Sequence, residues 1–225
     1  MAMKDAPTFH ELPQSMRILV VDDEADILDR NMAALREALS PHVGDLTVFS
    51  ADSAVGLFDA ALSQMPEIIV LDDRYRDNFE LWRLKEPQVE ALAQKFGVDF
   101  NPIRKPDRGG STMIGVMPDD LYFPSSTNFA LLLRYFGYSG KIVVTSGDPP
   151  DPERIEKDRQ EMNEHLAKSG TAPVNATVIN GVATKSFKSH DQNWATGKSK
   201  WGGWDYHKIK DAPYSQSLNQ LIRSV

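Results

Sequence analysis

Five side chains in this sequence have the types and positions to hold a metal ion beside a phosphoryl group: Asp22, Asp23, Asp72, Ser146 and Lys185. Each stands where a short apolar run stops. Asp22 and Asp23 follow residues 17–21 (RILVV), and Asp72 follows 67–71 (EIIVL). Ser146 follows 141–145 (KIVVT), and Lys185 comes just after 176–183 (ATVINGVA). If the runs are parallel strands of one open sheet, all five side chains gather at the carboxyl edge, where such sheets bind ligands. Three carboxylates brought together repel one another, so either their pKa values rise or a cation sits among them. Oxygen-only ligands at a partly open site suit Mg²⁺, which keeps several waters and takes one or two carboxylates plus a phosphate. A hydroxyl and an ammonium at the rim complete a pocket for a phosphoryl group. The ordinary reading of such acids is that they end strands and cap helices. Two apolar runs that each end in paired acids, followed by a Ser and a Lys at matching positions, favour the pocket.

The elements that must position these residues are legible from periodicity. Residues 17–21 form a short, β-branched run with no polar alternation, as in a strand buried on both faces. Leu28, Met32, Leu35 and Leu39 then recur at helical spacing until Ser40 and Pro41 stop them. Residues 46–50 (LTVFS) give a second strand, Ala51, Val55, Phe58 and Leu62 a second helix ending before Pro66, and 67–71 a third strand. This β-α-β-α-β rhythm predicts an α/β fold with a doubly wound, five-stranded parallel sheet, completed by strands at 141–145 and 176–183.

The rhythm breaks after Asp72. The next buried strand starts about 70 residues later, whereas a βαβ unit needs roughly 30. Part of the stretch is an ordinary crossover helix with Phe129, Leu132, Leu133 and Phe136 on one face, capped by Ser125, Ser126 or Thr127 and ended by Gly137. The surplus, residues 74–117, contains a small helix with Pro87 in its first turn, Val89, Leu92, Ala93 and Phe96 on one face, and Gly97 as its stop. Residues 104–115 show no period and are expected to be a loop. A charged helix is expected over about 153–168, with Gly170 after it, and a short last helix around 218–222. The expected organisation is a tail over residues 1–15 and a single domain over 16–225. Extended loops or insertions fall at about 74–117, 148–160 and 188–213. They leave the same edge of the sheet beside Asp72, Ser146 and Lys185, which predicts a collar around the acidic pocket.

Composition narrows the function classes. The formal charge is −7, from 25 basic and 32 acidic residues, which argues against sequence-independent nucleic-acid binding. With no cysteine among the 225 residues, there is no disulfide framework, thiolate zinc site or thiol nucleophile. No apolar run approaches a membrane span, so no membrane partner is expected, and a cytoplasmic location is. Trp194, Trp201, Trp204 and the lysines between them read first as staples of a long loop and second as a partner surface. The five histidines show no metal-ligand spacing.

At this point the residues resemble a known family. The runs ILVVDDE, EIIVLDD, KIVVTSG and ATKSF are similar, in order, to the four signature segments of the response-regulator receiver domain of two-component signalling. The resemblance implies the flavodoxin-like, CheY-like receiver fold and a stand-alone receiver. Asp72 would be the phosphoacceptor, taking a phosphoryl group from a sensor histidine kinase or a histidine phosphotransfer protein. Asp22, Asp23, Asp72 and the backbone carbonyl of Arg74 would hold Mg²⁺, while Ser146 and Lys185 would contact the phosphoryl group. Signalling would pass to an unknown downstream protein by protein–protein contacts, with a homodimer compatible. The chain would be no conventional enzyme, catalysing only its own phosphorylation and dephosphorylation. Two positions depart from the family. Ser186 follows Lys185 where a cis proline is usual, and a non-proline cis bond costs about 3–4 kcal/mol. Val182 occupies the usual place of the switch aromatic. The main rival is a pseudo-receiver, the same fold kept as a binding module without phosphorylation. A Mg²⁺-dependent phosphatase with an aspartyl nucleophile would want Asp-x-Asp after the first strand, which Asp22-Asp23-Glu24 does not supply.

Overall fold

The pleated runs named above become strands because β-branched and apolar residues fill both faces of one buried sheet. A computed structural model describes residues 13–73, 75, 79–99, 104–106, 112–114, 125–146, 151–168 and 170–184. Strands β1 (Ser15–Val21), β2 (Asp45–Ala51), β3 (Ile68–Asp72), β6 (Lys141–Ser146) and β7 (Gly181–Thr184) form a five-stranded sheet in the order β2-β1-β3-β6-β7. Every pairing in it is parallel. The expected doubly wound α/β sheet is present, with the strand order of the flavodoxin-like class.

Alternation along the strands sorts the core into two layers. Ile18, Val20, Ile68, Val70 and Val143 face one side and pack with Leu35 and Leu39 of helix α1 (Ala25–Leu39). Leu19, Val21, Ile69, Leu71 and Ile142 face the other. There they meet helices α2 (Ala54–Gln64), α4 (Glu86–Phe96), α5 (Ser126–Tyr135) and α6 (Pro152–Lys168). The helix ends follow their sequence signals. Ser53 Oγ accepts the Gly56 N–H at 3.2 Å, and Ser125 Oγ accepts the Asn128 N–H at 3.3 Å. Gly97 and Gly137 take the left-handed conformation, with φ 66° and 89°, that a side chain disfavours.

The long crossover between β3 and β6 departs from expectation in two ways. Residues 104–106 and 112–114, expected as loop, form a two-stranded antiparallel pair, β4 (Arg104–Pro106) and β5 (Thr112–Ile114). The intervening DRGGS carries the glycines that short hairpin connections favour, a signal that sequence reasoning missed because the flanking residues do not alternate. A one-turn helix, α3 (Phe79–Trp82), precedes the expected α4. Val89, Leu92 and Ala93 of α4 are buried as their spacing required.

Within the described part of this insertion, helix α4 is not part of a collar around the pocket. Helices α3 and α4 contact α2, and Tyr135 Oη at the end of α5 donates to the Asp99 carbonyl at 2.8 Å. Helix α5 starts at the carboxyl edge and ends at the amino edge, so α4 runs down the helical layer, away from the proposed pocket. The reason is apolar area. Val89, Leu92 and Ala93 of α4 are each less than 5% exposed, and burying them in this layer removes their apolar area from water.

The last strand is shorter than its expected 176–183. Residues 176–180 are irregular because Arg134 holds them. Its guanidinium donates to the Thr177 carbonyl (3.0 Å), the Tyr138 and Gly140 carbonyls (2.9 and 2.6 Å) and Asn180 Oδ1 (2.9 Å). Asn180 Oδ1 also accepts the Ile142 N–H at 2.9 Å, so pairing with β6 becomes regular only from Gly181. Gly140 has no room for a side chain, since a Cβ there would lie 2.6 Å from the Pro66 carbonyl oxygen. The final helix expected at 218–222, the segment 188–213 and the tail over 1–12 lie outside the described residues. Among the described residues no helix is long and apolar enough to cross a membrane.

Candidate metal and phosphoryl site

Register brings the acids together. Val21 pairs with Leu71 across β1 and β3, so Asp22, one residue on, comes level with Asp72 at the carboxyl edge of the two central strands. Carboxylate oxygens of Asp22, Asp23 and Asp72 lie within 4.8 Å of one another. Asp22 is 4% exposed, and its Oδ1 accepts the Glu24 N–H at 3.0 Å, turning the chain into α1. Asp72 follows four buried residues of β3 and is the one member of that strand that is not fully buried. The donor set contains only oxygen and carries three formal charges in one small volume. That is the chemistry of a hard divalent cation such as Mg²⁺, and the residues fit it.

Ser146 ends β6. Asp72 pairs with Thr145 across β3 and β6, which leaves Ser146 level with Asp73. The Ser146 hydroxyl donates to Asp73 Oδ2 at 3.2 Å, and the Ser126 hydroxyl, at the first turn of α5, donates to Asp73 Oδ1 at 2.7 Å. Asp73 is itself buried, at 9% exposure, with Ser126 and Ser146 at 0% and 6%. Its backbone joins the same elements, N–H to the Thr145 carbonyl (3.1 Å) and carbonyl to the Ser126 N–H (3.2 Å). Lys185, the residue after β7, and Arg74 lie outside the described residues, as does the Lys185–Ser186 bond.

Sequence reasoning missed Asp73 and Ser126 as a unit. The doublet Asp72-Asp73 was visible, but alternation should have sent the two carboxylates to opposite faces. It also missed Tyr75, which is 1% exposed. The Tyr75 ring stacks on Trp82 with centroids 4.5 Å apart and meets Phe129 edge-on at 5.1 Å. Its hydroxyl has no hydrogen-bond partner among the described residues. Burial pushes the Tyr75 phenol well above its ordinary pKa, and the negative charges of Asp72, Asp22, Asp23 and Asp73 push it further. Burial and the four nearby acids thus both oppose ionisation of this phenol.

No protein-family model matches the chain, and no characterised protein matches its sequence. Solved structures that resemble it include the chemotaxis response regulator CheY4 of Vibrio cholerae. That protein is 13% identical, with a TM-score of 0.36, over 82% of this chain and 98% of that one. The fold assignment rests on the parallel pairing and strand order described above.

Proposed function

We propose that this chain is a receiver-type phosphoacceptor that takes a phosphoryl group on Asp72 from the phosphohistidine of a histidine kinase or phosphotransfer protein. The observation that carries the reading is the cluster of Asp22, Asp23 and Asp72 oxygens within 4.8 Å at the carboxyl edge of the central strands. Asp22, Asp23, Asp72 and the Arg74 carbonyl would hold Mg²⁺, which when bound supplies positive charge against the transferring phosphoryl oxygens. An Asp72 carboxylate oxygen attacks phosphorus in line. The phosphorus–nitrogen bond of the donor breaks as the acyl phosphate forms, and the histidine nitrogen leaves with the electron pair. Catalysis is by positioning and charge neutralisation. Ser146 and Lys185 would contact the phosphoryl oxygens. The added charge then changes which proteins the surface binds, so the output is a contact and not a product.

Beryllofluoride, a mimic of the aspartyl phosphate, tests the reading by ¹⁹F NMR. A bound signal is expected that requires Mg²⁺ and is lost in Asp72→Asn. Absence of the signal at saturating reagents would favour a binding module that has lost the switch.

A further inference from the structure

The bond between Ser146 and Asp73 occupies the hydroxyl that the proposed function needs. Ser146 has one proton to donate. In this structure it goes to Asp73 Oδ2 at 3.2 Å, inside a buried unit that also takes the Ser126 hydroxyl at 2.7 Å. Asp73 is thereby tied to three elements at once: the end of β3, the end of β6 and the first turn of α5.

Resting on the receiver reading, we infer that Asp73 is a positioning residue that holds Ser146 away from a phosphoryl group on Asp72. Phosphorylation must break the Ser146–Asp73 bond and transfer the proton donor to a phosphoryl oxygen. A buried carboxylate is a strong acceptor, so the bond sets a threshold against spontaneous closure of the site. When Ser146 leaves, Asp73 keeps Ser126 as its remaining hydroxyl donor of the pair. The event at Asp72 is thus transmitted to the first turn of α5.

The test uses the full chain with Mg²⁺ and beryllofluoride. Asp73→Asn keeps the side-chain volume and an oxygen that can accept from Ser126. It turns an amide donor toward Ser146, so the Ser146 proton is released to the pocket. Affinity for beryllofluoride should rise by about tenfold or more. Removing a negative charge near an anion would raise affinity by itself, so the same change is measured in Ser146→Ala. The gain should shrink there to the part that charge removal alone supplies. Ser126→Ala gives the opposite sign: with one donor removed, Asp73 leans on Ser146, and beryllofluoride should bind more weakly than to the wild type. Ser125 still caps α5 in that variant. Equal affinity in the wild type and Asp73→Asn, or a gain as large in the Ser146→Ala background as in the wild-type one, overturns the latch and leaves the receiver reading standing. No binding in any variant overturns both.

Discussion

Asp72 lies directly opposite Thr145 across the β3–β6 pair, and this one-residue offset from Ser146 divides the acids at the sheet edge into two groups. Asp22, Asp23 and Asp72 cluster within 4.8 Å. Asp73 turns to the α5 side and takes two hydroxyl donors. The first group brings three carboxylates together and suits a cation; in the second, each Asp73 oxygen accepts a serine hydroxyl.

Mg²⁺ should therefore stabilise the folded chain through the first group alone. At a concentration about 100 times the dissociation constant, the gain is about 2.7 kcal/mol, read as a rise in the thermal midpoint. Asp23→Asn should abolish the rise. In metal-free buffer Asp22→Asn should be more stable than the wild type, because one of three repelling charges is removed. A Mg²⁺ response that is unchanged in Asp23→Asn would place the ion elsewhere.

Tyr75 makes a prediction that runs against the usual cost of a core substitution. Its hydroxyl is buried with no partner among the described residues, so Tyr75→Phe should stabilise the protein by about 1 kcal/mol in urea. The pH dependence has a definite sign. The folded-state pKa lies above the unfolded value of 10.0, so the stability tied to the protonated phenol is complete below pH 10 and is lost as pH climbs beyond it. Tyr75→Phe should be less sensitive to alkali than the wild type. Part of the alkaline loss should persist, since burial also raises the Tyr138 phenol. A destabilised Tyr75→Phe would mean that the hydroxyl has a partner.

Arg134 should be the most costly single polar residue among those described. Its guanidinium satisfies three carbonyls and Asn180 Oδ1. Arg134→Met leaves these acceptors without it and should cost about 3 kcal/mol or more in a urea titration. Hydrogen exchange should rise first in β7, whose entry from Thr177 to Asn180 the guanidinium fixes.

On α6, Glu156 accepts from Arg159 at 2.8 and 2.5 Å and from Gln160 at 2.9 Å. The Arg159 and Gln160 hydrogen bonds draw its pKa down to about 2. A depressed carboxylate contributes stability that is present above the unfolded value of 4.5 and lost as pH falls toward 2. The pair is exposed, so the effect is small and salt-sensitive. Glu156→Gln should match the wild type at pH 2 and fall below it at pH 6, most visibly in low salt.

Much of the sheet was legible in the sequence because its signal is local. Four of the five sheet strands are short apolar runs bounded by acids or turn residues, several helices carry plain 3.6-residue stripes, and α4, α5 and α6 are followed by Gly97, Gly137 and Gly170. What escaped depends on partners distant in the chain. Residues 176–180 have the composition of a strand, but Arg134, over 40 residues earlier, takes the Thr177 carbonyl and the Asn180 side chain. The pairing of Asp73 with Ser126 and Ser146 spans 53 and 73 residues, and only the register of β3 against β6 reveals it. Asp22, Asp23 and Asp72 were legible as a cluster because each ends a central strand, and parallel strands in register end together. The course of α4 was not, because periodicity gives the buried face of a helix and not the layer it joins.

The most direct test of the central claim is to incubate the chain with Mg²⁺ and acetyl phosphate and locate the adduct by peptide mass spectrometry after borohydride trapping. The account predicts modification of Asp72 alone, abolished by removing Mg²⁺ and in Asp72→Asn. Modification of Asp22, Asp23 or Asp73 in its place, or none at all, would contradict it.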